Sequence, residues 1–155
     1  SRDIKVALTH AFEGGHPDHD ATALAVHAVA ALKRRRRQAL TVIEMPFYHA
    51  ENEGWATQRF SGHPDRPAIA IRLNATERKC KRHMLAAHKT QTTTLSFFNA
   101  EFEYFRPAPA YDFLSLPNDG QLLYERYNWG MTGEHWLMLS RAALDELGLA
   151  DERWL

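Results

Sequence analysis

Short apolar runs and one helical stretch divide the first third of the chain. The run from Ile4 to Thr9 ends in polar residues and has the length and flanks of a buried strand. A helix is expected from about Ala21 to Arg36, and its many alanines predict close packing against a neighbouring element. The next apolar run, Leu40 to Met45, stops at Pro46. Strand, helix and strand in this order predict a βαβ unit with parallel strands.

The middle of the chain has a weaker pattern. The segment from Tyr48 to Pro67 is polar and irregular, so we expect a surface loop there. Ala68 to Leu73 predicts a short strand, and Asn74 to Glu77 has the capping residues of a helix start. One face of that helix carries residues at helical spacing, namely Lys81, Met84, Leu85 and His88.

The last third combines one alternating stretch with one helix. From Phe98 to Phe105 aromatic and polar residues alternate, which predicts a strand or an extended arm. Pro107 to Pro117 is expected to be loop. A final helix is predicted from about Gly133 to Leu147, because Gly148 is a typical residue just beyond a helix end. The order of elements predicts one α/β domain.

The densest group of ionisable residues follows the first strand, in Gly14-Gly15-His16-Pro17-Asp18-His19-Asp20. Open α/β sheets bind ligands beyond the carboxyl ends of their strands, which is where this segment lies. Histidine and carboxylate are natural zinc ligands, and a catalytic zinc takes about three protein ligands and a water. A spacing of three lets His16 and His19 face the same place, one as a ligand and one stabilising an oxyanion. A structural role stays open, in which Asp18 or Asp20 only caps the helix.

Two segments resemble the LmbE/PIG-L family of zinc-dependent N-deacetylases. Thr9 to Ala21 is similar to the second motif of that family, and Lys81 to Gln91 resembles its later Lys…His-x-Ser/Thr-Gln helix. Their order and separation also agree with the family. The resemblance implies a Rossmann-like parallel sheet with flanking helices. It also implies the removal of an acetyl group from an N-acetylated sugar or sugar conjugate.

The resemblance also implies roles for the motif residues. His19 is expected to bind Zn²⁺, or another divalent metal. His16 is expected to stabilise the tetrahedral intermediate or to protonate the leaving amine. Asp18 is expected to hydrogen-bond a histidine and to tune its pKa. Together these residues predict a metal-dependent amide hydrolase whose partner is an N-acetylated sugar or glycoconjugate.

One motif of that family is missing from this sequence. The family's first motif, His-Pro-Asp-Asp-Glu, supplies further zinc ligands and the general base. Gly62 to Arg66 contains His63-Pro64-Asp65, but Arg66 replaces the second acid, so we interpret this segment as a loop. We interpret residues 1–155 as the C-terminal part of a single deacetylase domain, without its N-terminal strands. Alone, it is expected to be inactive and to self-associate as a homo-oligomer.

Two alternatives to the zinc deacetylase stay open. The first is a family member that has lost catalysis and binds a carbohydrate or a protein. The second is a metal-free hydrolase or transferase with His16 as the base. An aromatic-rich stretch bears on the first, because it either stacks on a sugar ring or packs in the core. It contains Tyr124, Tyr127, Asn128, Trp129 and Trp136.

Composition narrows the expected partners. Lys and Arg together number 19, as do Asp and Glu, so net charge gives no argument for a nucleic-acid or membrane partner. No apolar run approaches the roughly 18 residues of a membrane-spanning helix. The single cysteine, Cys80, excludes an internal disulfide and is typical of a reducing compartment such as the cytoplasm.

Overall fold

The computed structural model describes residues 4–151 and contains, within that range, six β-strands and five α-helices. The strands are β1 Val6–His10, β2 Thr41–Met45, β3 Tyr48–Glu51, β4 Gly54–Thr57, β5 Ile69–Arg72 and β6 Phe102–Pro107. The helices are α1 Pro17–Arg35, α2 Ala75–Ala87, α3 Thr92–Leu95, α4 Leu123–Arg126 and α5 Gly133–Glu146. Among the helices in this range, none is both long and apolar enough to cross a bilayer.

The main sheet has four strands in the order β1-β2-β6-β5. β1 and β2 are parallel, with Val6 beside Thr41 and His10 beside Met45, and α1 connects them. The predicted βαβ unit is therefore confirmed. β6 is antiparallel to both β2 and β5. The fold is thus mixed α/β with a mixed sheet, and parallel pairing is limited to β1 and β2 among the described strands.

The main core is formed by α1, α5 and the segments that follow β1, β6 and α5. The small side chains Ala23, Ala28 and Ala31 are buried on one face of α1, which brings its backbone close to its neighbours. The same core cluster contains larger side chains from the rest of the chain, namely Phe12, Tyr111, Phe113, Trp136, Leu144 and Leu149. The predicted close packing of the alanine-rich helix is confirmed. That helix begins at Pro17, four residues earlier than predicted.

β1 is an edge strand of the described sheet and buries only one of its faces. Thr9 is buried, but Val6 and Leu8 are 54% and 56% exposed. The prediction of a buried strand is therefore wrong for this face. Residues that pair across neighbouring strands lie on the same face of the sheet. The exposed apolar side chains of β1 are therefore followed by apolar side chains of the other strands on that face. The resulting surface, the open sheet face, consists of Val6, Leu8, Ile43, Phe105, Ile69 and Ile71.

A β-hairpin of β3 and β4 replaces much of the predicted surface loop. Tyr48 pairs with Thr57 and Glu51 pairs with Gly54, so the hairpin turns after only four residues. Its stability comes from packing rather than from a periodic sequence pattern. Tyr48 and Ala50 are buried in a second cluster with Leu123. This tertiary support explains why the sequence pattern missed the hairpin.

Local sequence signals correctly predict the start of α2 but place the start of β6 too early. Asn74 caps α2, and its side chain accepts the N–H groups of Thr76 and Glu77 at 2.9 and 3.0 Å. The Glu77 carboxylate accepts the Asn74 N–H in return at 2.7 Å, which completes a capping box. The alternating stretch predicted from Phe98 becomes a strand only at Phe102.

A buried ion pair joins β2 to β6. The Arg106 Nε atom donates to Glu44 Oε1 at 2.5 Å, and both side chains are at most 2% exposed. The Tyr111 hydroxyl lies 2.8 Å from each Glu44 carboxylate oxygen. Burial raises the pKa of Glu44 to about 7, although Arg106 acts in the opposite direction. The network stabilises the pairing of β2 with β6, because a buried polar group that loses its hydrogen-bond partner cannot bind water instead.

We expect Tyr111→Phe to lower the free energy of unfolding by about 1–3 kcal/mol, because it leaves a buried carboxylate short of a donor. Urea denaturation of both proteins measures this difference. Tyr124→Phe is the matched control, since the Tyr124 hydroxyl is buried without a hydrogen-bond partner in residues 4–151. Its removal should be neutral or stabilising. Equal losses in the two variants would contradict the proposed importance of the network.

Candidate functional site

The predicted motif lies where two parallel strands end. β1 ends at His10, and the next residue, Ala11, donates its N–H to the Met45 carbonyl at the end of β2, at 3.1 Å. The motif loop, residues 11–16, then leads into α1. Phe47 and Tyr48 follow the end of β2 and face this loop. The site therefore has the location expected in α/β proteins, beyond the carboxyl ends of the strands.

Glycine allows the motif loop to approach the hairpin closely. A Cβ atom on Gly15 would lie 1.9 Å from the Tyr48 carbonyl oxygen, so no side chain fits there. Gly14 has a φ of +71°, a conformation that favours glycine. Its carbonyl accepts the Leu123 N–H at the start of α4, at 2.8 Å. The loop is thus held between β3 and α4.

Asp20 holds the loop from inside α1. Its fully buried side chain accepts the N–H groups of Glu13 and Gly14, each at 3.2 Å. Burial raises the pKa of Asp20 well above its ordinary value. The N-cap of α1 is instead His16, whose Nδ1 accepts the Asp18 N–H at 3.1 Å. The alternative that Asp18 or Asp20 caps this helix is therefore wrong.

Glu13 forms a second buried connection between the loop and the hairpin. One of its carboxylate oxygens accepts the Phe47 N–H at 2.7 Å. The other lies 3.4 Å from His49 Nδ1, an ion-pair distance without hydrogen-bond geometry. Both side chains are nearly fully buried. This connection fixes Phe47 and Tyr48 against the motif.

Three imidazole rings meet at this position, and we call His10, His16 and His19 the histidine cluster. The rings of His10 and His19 stack, with centroids 4.3 Å apart and planes inclined by 15°. The centroids of His16 and His19 are 5.2 Å apart. Phe47 contacts the His19 ring edge-on at 4.7 Å. The structure thus brings His16 and His19 together, as their spacing predicts.

Burial disfavours the charged form of two rings of the cluster, His19 and His10. It lowers the pKa of His19 to about 3, and the neighbouring His10 and His16 act in the same direction. Burial also lowers the pKa of His10. His19 is therefore a neutral imidazole at physiological pH, which is the form that binds metals. No hydrogen bond from the rest of residues 4–151 occupies its ring nitrogens.

His16 has a defined tautomer while it caps α1. Because Nδ1 accepts a hydrogen bond, the proton of the neutral ring is on Nε2, which makes Nε2 the available donor. The Asp18 carboxylate lies 3.8 Å from His16 Nδ1, beyond hydrogen-bond distance, and its side chain is 89% exposed. Its role in tuning a histidine pKa stays a prediction.

Six aromatic rings contact one another in a closed circuit. The sequence did not indicate this feature. Centroid distances follow the order His19–His16 5.2 Å, His16–Trp129 5.5 Å, Trp129–Tyr127 5.6 Å, Tyr127–Trp55 6.4 Å, Trp55–Tyr48 5.3 Å and Tyr48–His19 5.5 Å. We call these six residues the aromatic circuit. It joins the histidine cluster to the hairpin and to the turn after α4.

The aromatic-rich stretch of the sequence is partly buried and partly exposed, and its stacking on a sugar ring stays a prediction. Tyr124 and Trp136 are buried in the protein. Tyr127 and Trp129 are 52% and 41% exposed and belong to the aromatic circuit. Helical spacing did not distinguish the buried rings from the exposed ones, because Tyr127 and Trp129 lie in the turn beyond α4.

Two other histidines of interest lie apart from the cluster. Gly62 to Arg66 is a loop, as predicted, and His63 lines a cavity of about 480 Å³ with Arg59, Arg66 and Arg106. His88 forms the C-cap of α2, and it lines a smaller cavity with Met84 and Leu85. The His63 ring contacts Tyr111 edge-on, with centroids 5.2 Å apart.

The fit of the described residues to a zinc ion is partial. His19 suits a ligand role, because it is neutral and its ring is held by neighbouring rings. No group of three His, Cys, Asp or Glu side chains within residues 4–151 is arranged to hold a metal. Comparisons with models of protein families, with curated proteins and with solved structures found no match to this chain.

The depressed pKa of His19 predicts acid sensitivity. We expect the free energy of unfolding to decrease as the pH falls from 6.5 towards about 3. In that window the unfolded chain binds a proton that folded His19 does not, so protonation favours unfolding. The contribution is fully present above pH 6.5. Urea denaturation across this range measures it, and His19→Gln should show a weaker pH dependence. An unchanged dependence in the variant would exclude His19 as the source.

Proposed function

We propose that this chain carries the second histidine motif of a zinc-dependent N-deacetylase of the LmbE/PIG-L type. In this proposal the protein hydrolyses the acetamide of an N-acetylated sugar or sugar conjugate. The main support is the meeting of His16 with a neutral His19 at the ends of two parallel strands. We further propose that β1, α1 and β2 are part of a Rossmann-like arrangement.

His19 is the proposed metal ligand of this segment. Its neutral ring retains a lone pair at physiological pH, and His10 and Phe47 restrict its orientation. A catalytic zinc site takes about three protein ligands, so His19 requires partners beyond the group that residues 4–151 assemble. A zinc ion, when bound, polarises the amide carbonyl and lowers the pKa of water.

His16 is the proposed donor to the reacting amide. Water adds its oxygen to the acetyl carbon, the carbonyl oxygen becomes negative, and the carbon–nitrogen bond then breaks. The His16 Nε2–H group is available to stabilise that oxyanion by a hydrogen bond; for His16 to pass a proton to the leaving nitrogen, its ring must first accept a proton from the attacking water. The products are acetate and the free amine. A carboxylate oxygen of Asp18 lies 3.8 Å from His16 Nδ1, and we propose that Asp18 helps to position this ring.

We expect His19→Ala to weaken zinc binding by at least roughly tenfold, because even groups that only support a metal ligand have effects of this size. Competition with a zinc-binding dye measures the affinity. His135→Ala is the control, since this exposed histidine lies on α5 and outside the cluster. Unchanged zinc affinity in His19→Ala would refute its role as a ligand.

His16→Ala should separate turnover from metal binding. We expect zinc affinity to be retained and kcat to fall by roughly 10²–10³, the usual effect of losing one oxyanion donor. Acetate release from N-acetylglucosamine by the zinc-supplemented full-length enzyme measures turnover. If the variant turns over as fast as the wild type, His16 is not the donor. If it loses zinc together with activity, His16 is a ligand instead.

A carbohydrate-binding protein without catalysis is the second candidate. Two observations favour it, namely the incomplete ligand group within residues 4–151 and the exposed rings of Tyr127 and Trp129. Sugar binding without acetate release in the presence of zinc would support this candidate. Acetate release that a chelator abolishes would support the deacetylase.

A further inference from the structure

We propose that the cavity beside His63 binds a small oxyanion, that is, a phosphate or carboxylate group, through Arg59, His63 and Arg66. Two of these residues belong to segment 62–66, which takes no part in the proposed deacetylation. Among the described residues that line the cavity, none belongs to the histidine cluster. The anion site is therefore independent of the proposed function.

The cavity has the size and the lining of a site for a small anion. Its volume is about 480 Å³, within the range of small-molecule sites. It lies between the end of β4, the loop of residues 58–68 and β6. Its lining within residues 4–151 includes no Asp or Glu, but it includes four cationic or titratable bases, namely Arg59, His63, Arg66 and Arg106.

The backbone holds the His63 loop in a defined shape. Gly62 and His63 have φ values of 60° and 54°, so two successive residues adopt the left-handed conformation. The Arg66 N–H donates to the His63 carbonyl at 3.0 Å and closes the turn. Arg106 Nη1 donates to the Gly62 carbonyl at 3.2 Å, which ties the loop to the buried ion pair. Strained backbone of this kind occurs most often where a ligand or a reacting group is held.

Arg59 and Arg66 keep N–H groups for a ligand. Arg59 pairs with Glu51 through Nη2, and the Asp65 carboxylate lies 3.6 Å from Arg66 Nε, beyond hydrogen-bond distance. The two arginine side chains are 58% and 48% exposed. Because a guanidinium carries five N–H groups, one carboxylate partner leaves donors unused. Such a group binds phosphate or carboxylate through two parallel hydrogen bonds.

Arg106 contributes charge rather than donors. Each of its nitrogen atoms already donates to another group of the protein. Burial lowers the pKa of His63, and the charges of Arg106 and Arg66 act in the same direction. Asp65 opposes them, but its effect is smaller than that of Arg106 alone. The electrostatic potential at the His63 ring is therefore positive, and a bound anion would reduce it.

Asn99 adds a neutral donor to the lining. Its side-chain oxygen accepts the N–H groups of Glu101 and Phe102, at 3.0 and 3.3 Å, which leaves the Nδ2 group as a donor. The Gln58 amide holds the Asn99 backbone through two hydrogen bonds, at 2.7 and 3.1 Å. The cavity thus combines charged and neutral donors on a fixed backbone.

The arrangement favours a small anion over a nucleic acid. Nucleic acids bind basic surfaces that follow a row of backbone phosphates. In this protein the positive and negative residues are equal in number, and the arginines of the site surround one cavity.

The test titrates the protein with inorganic phosphate and, separately, with succinate, at an ionic strength held constant with sodium chloride. Isothermal titration measures each affinity, and the ring signals of His63 in NMR spectra report where the anion binds. We expect saturable binding of one anion per chain, with a shift of the His63 signals and none of the His135 signals. The anion that binds more tightly shows whether the site prefers phosphate or carboxylate.

Arg66→Gln and Arg59→Gln should each weaken binding of the preferred anion by roughly tenfold, the effect of losing charge-assisted hydrogen bonds. Arg66→Lys should retain part of the affinity, because it keeps the charge but not the paired donors. Arg141→Gln is the matched control, since it removes an exposed arginine of α5 and should leave binding unchanged.

The remaining outcomes would overturn the site. They are the absence of saturable binding, equal affinity in the wild type and both glutamine variants at the cavity, and an equal loss in Arg141→Gln, which indicates a general effect of charge. Tighter binding of a single-stranded oligonucleotide than of phosphate, lost in Arg66→Gln, identifies a nucleic-acid surface instead. His19→Ala should bind the anion like the wild type, whether or not it binds zinc, so the anion site and the proposed deacetylase are tested separately.

Discussion

The arrangement of the site depends on the close approach of Gly15 to the Tyr48 carbonyl, where even a methyl group has no room. This contact lets the motif loop rest on the hairpin, and Asp20 and Glu13 then fix it with buried hydrogen bonds. Because the loop is close, Tyr48 reaches the His19 ring and covers part of it, so that His19 is partly buried. The low pKa of His19 is thus a result of backbone packing.

The sequence revealed those parts whose signals are local. The β1–α1–β2 unit, the capping box at Asn74 and the final helix each follow from a few neighbouring residues. The meeting of His16 and His19 also follows from their spacing across the start of α1. The motif lies beyond the carboxyl ends of β1 and β2, where the sequence places it. Zinc binding and deacetylation stay predictions.

The missed features depend on residues far apart in the chain. Glu44 and Arg106 are separated by 62 positions, and no local pattern indicates that they pair. The hairpin lacks clear alternation and depends on its packing against Leu123. The aromatic circuit combines residues from the motif loop, the hairpin and the turn after α4. Such contacts become visible only when the elements have been assembled in space.

The sheet order has a consequence for the way the chain folds as it is synthesised. β1, α1 and β2 are consecutive, so their contacts form between near neighbours in the chain. β2, however, pairs on its other side with β6, where Ile43 lies beside Pro107. Non-local strand pairing closes long loops and is slow. During translation, the edge of β2 that carries Glu44 remains unpaired until Arg106 has left the ribosome. The strand pairing of β2 with β6 and the ion pair of Glu44 with Arg106 then form together.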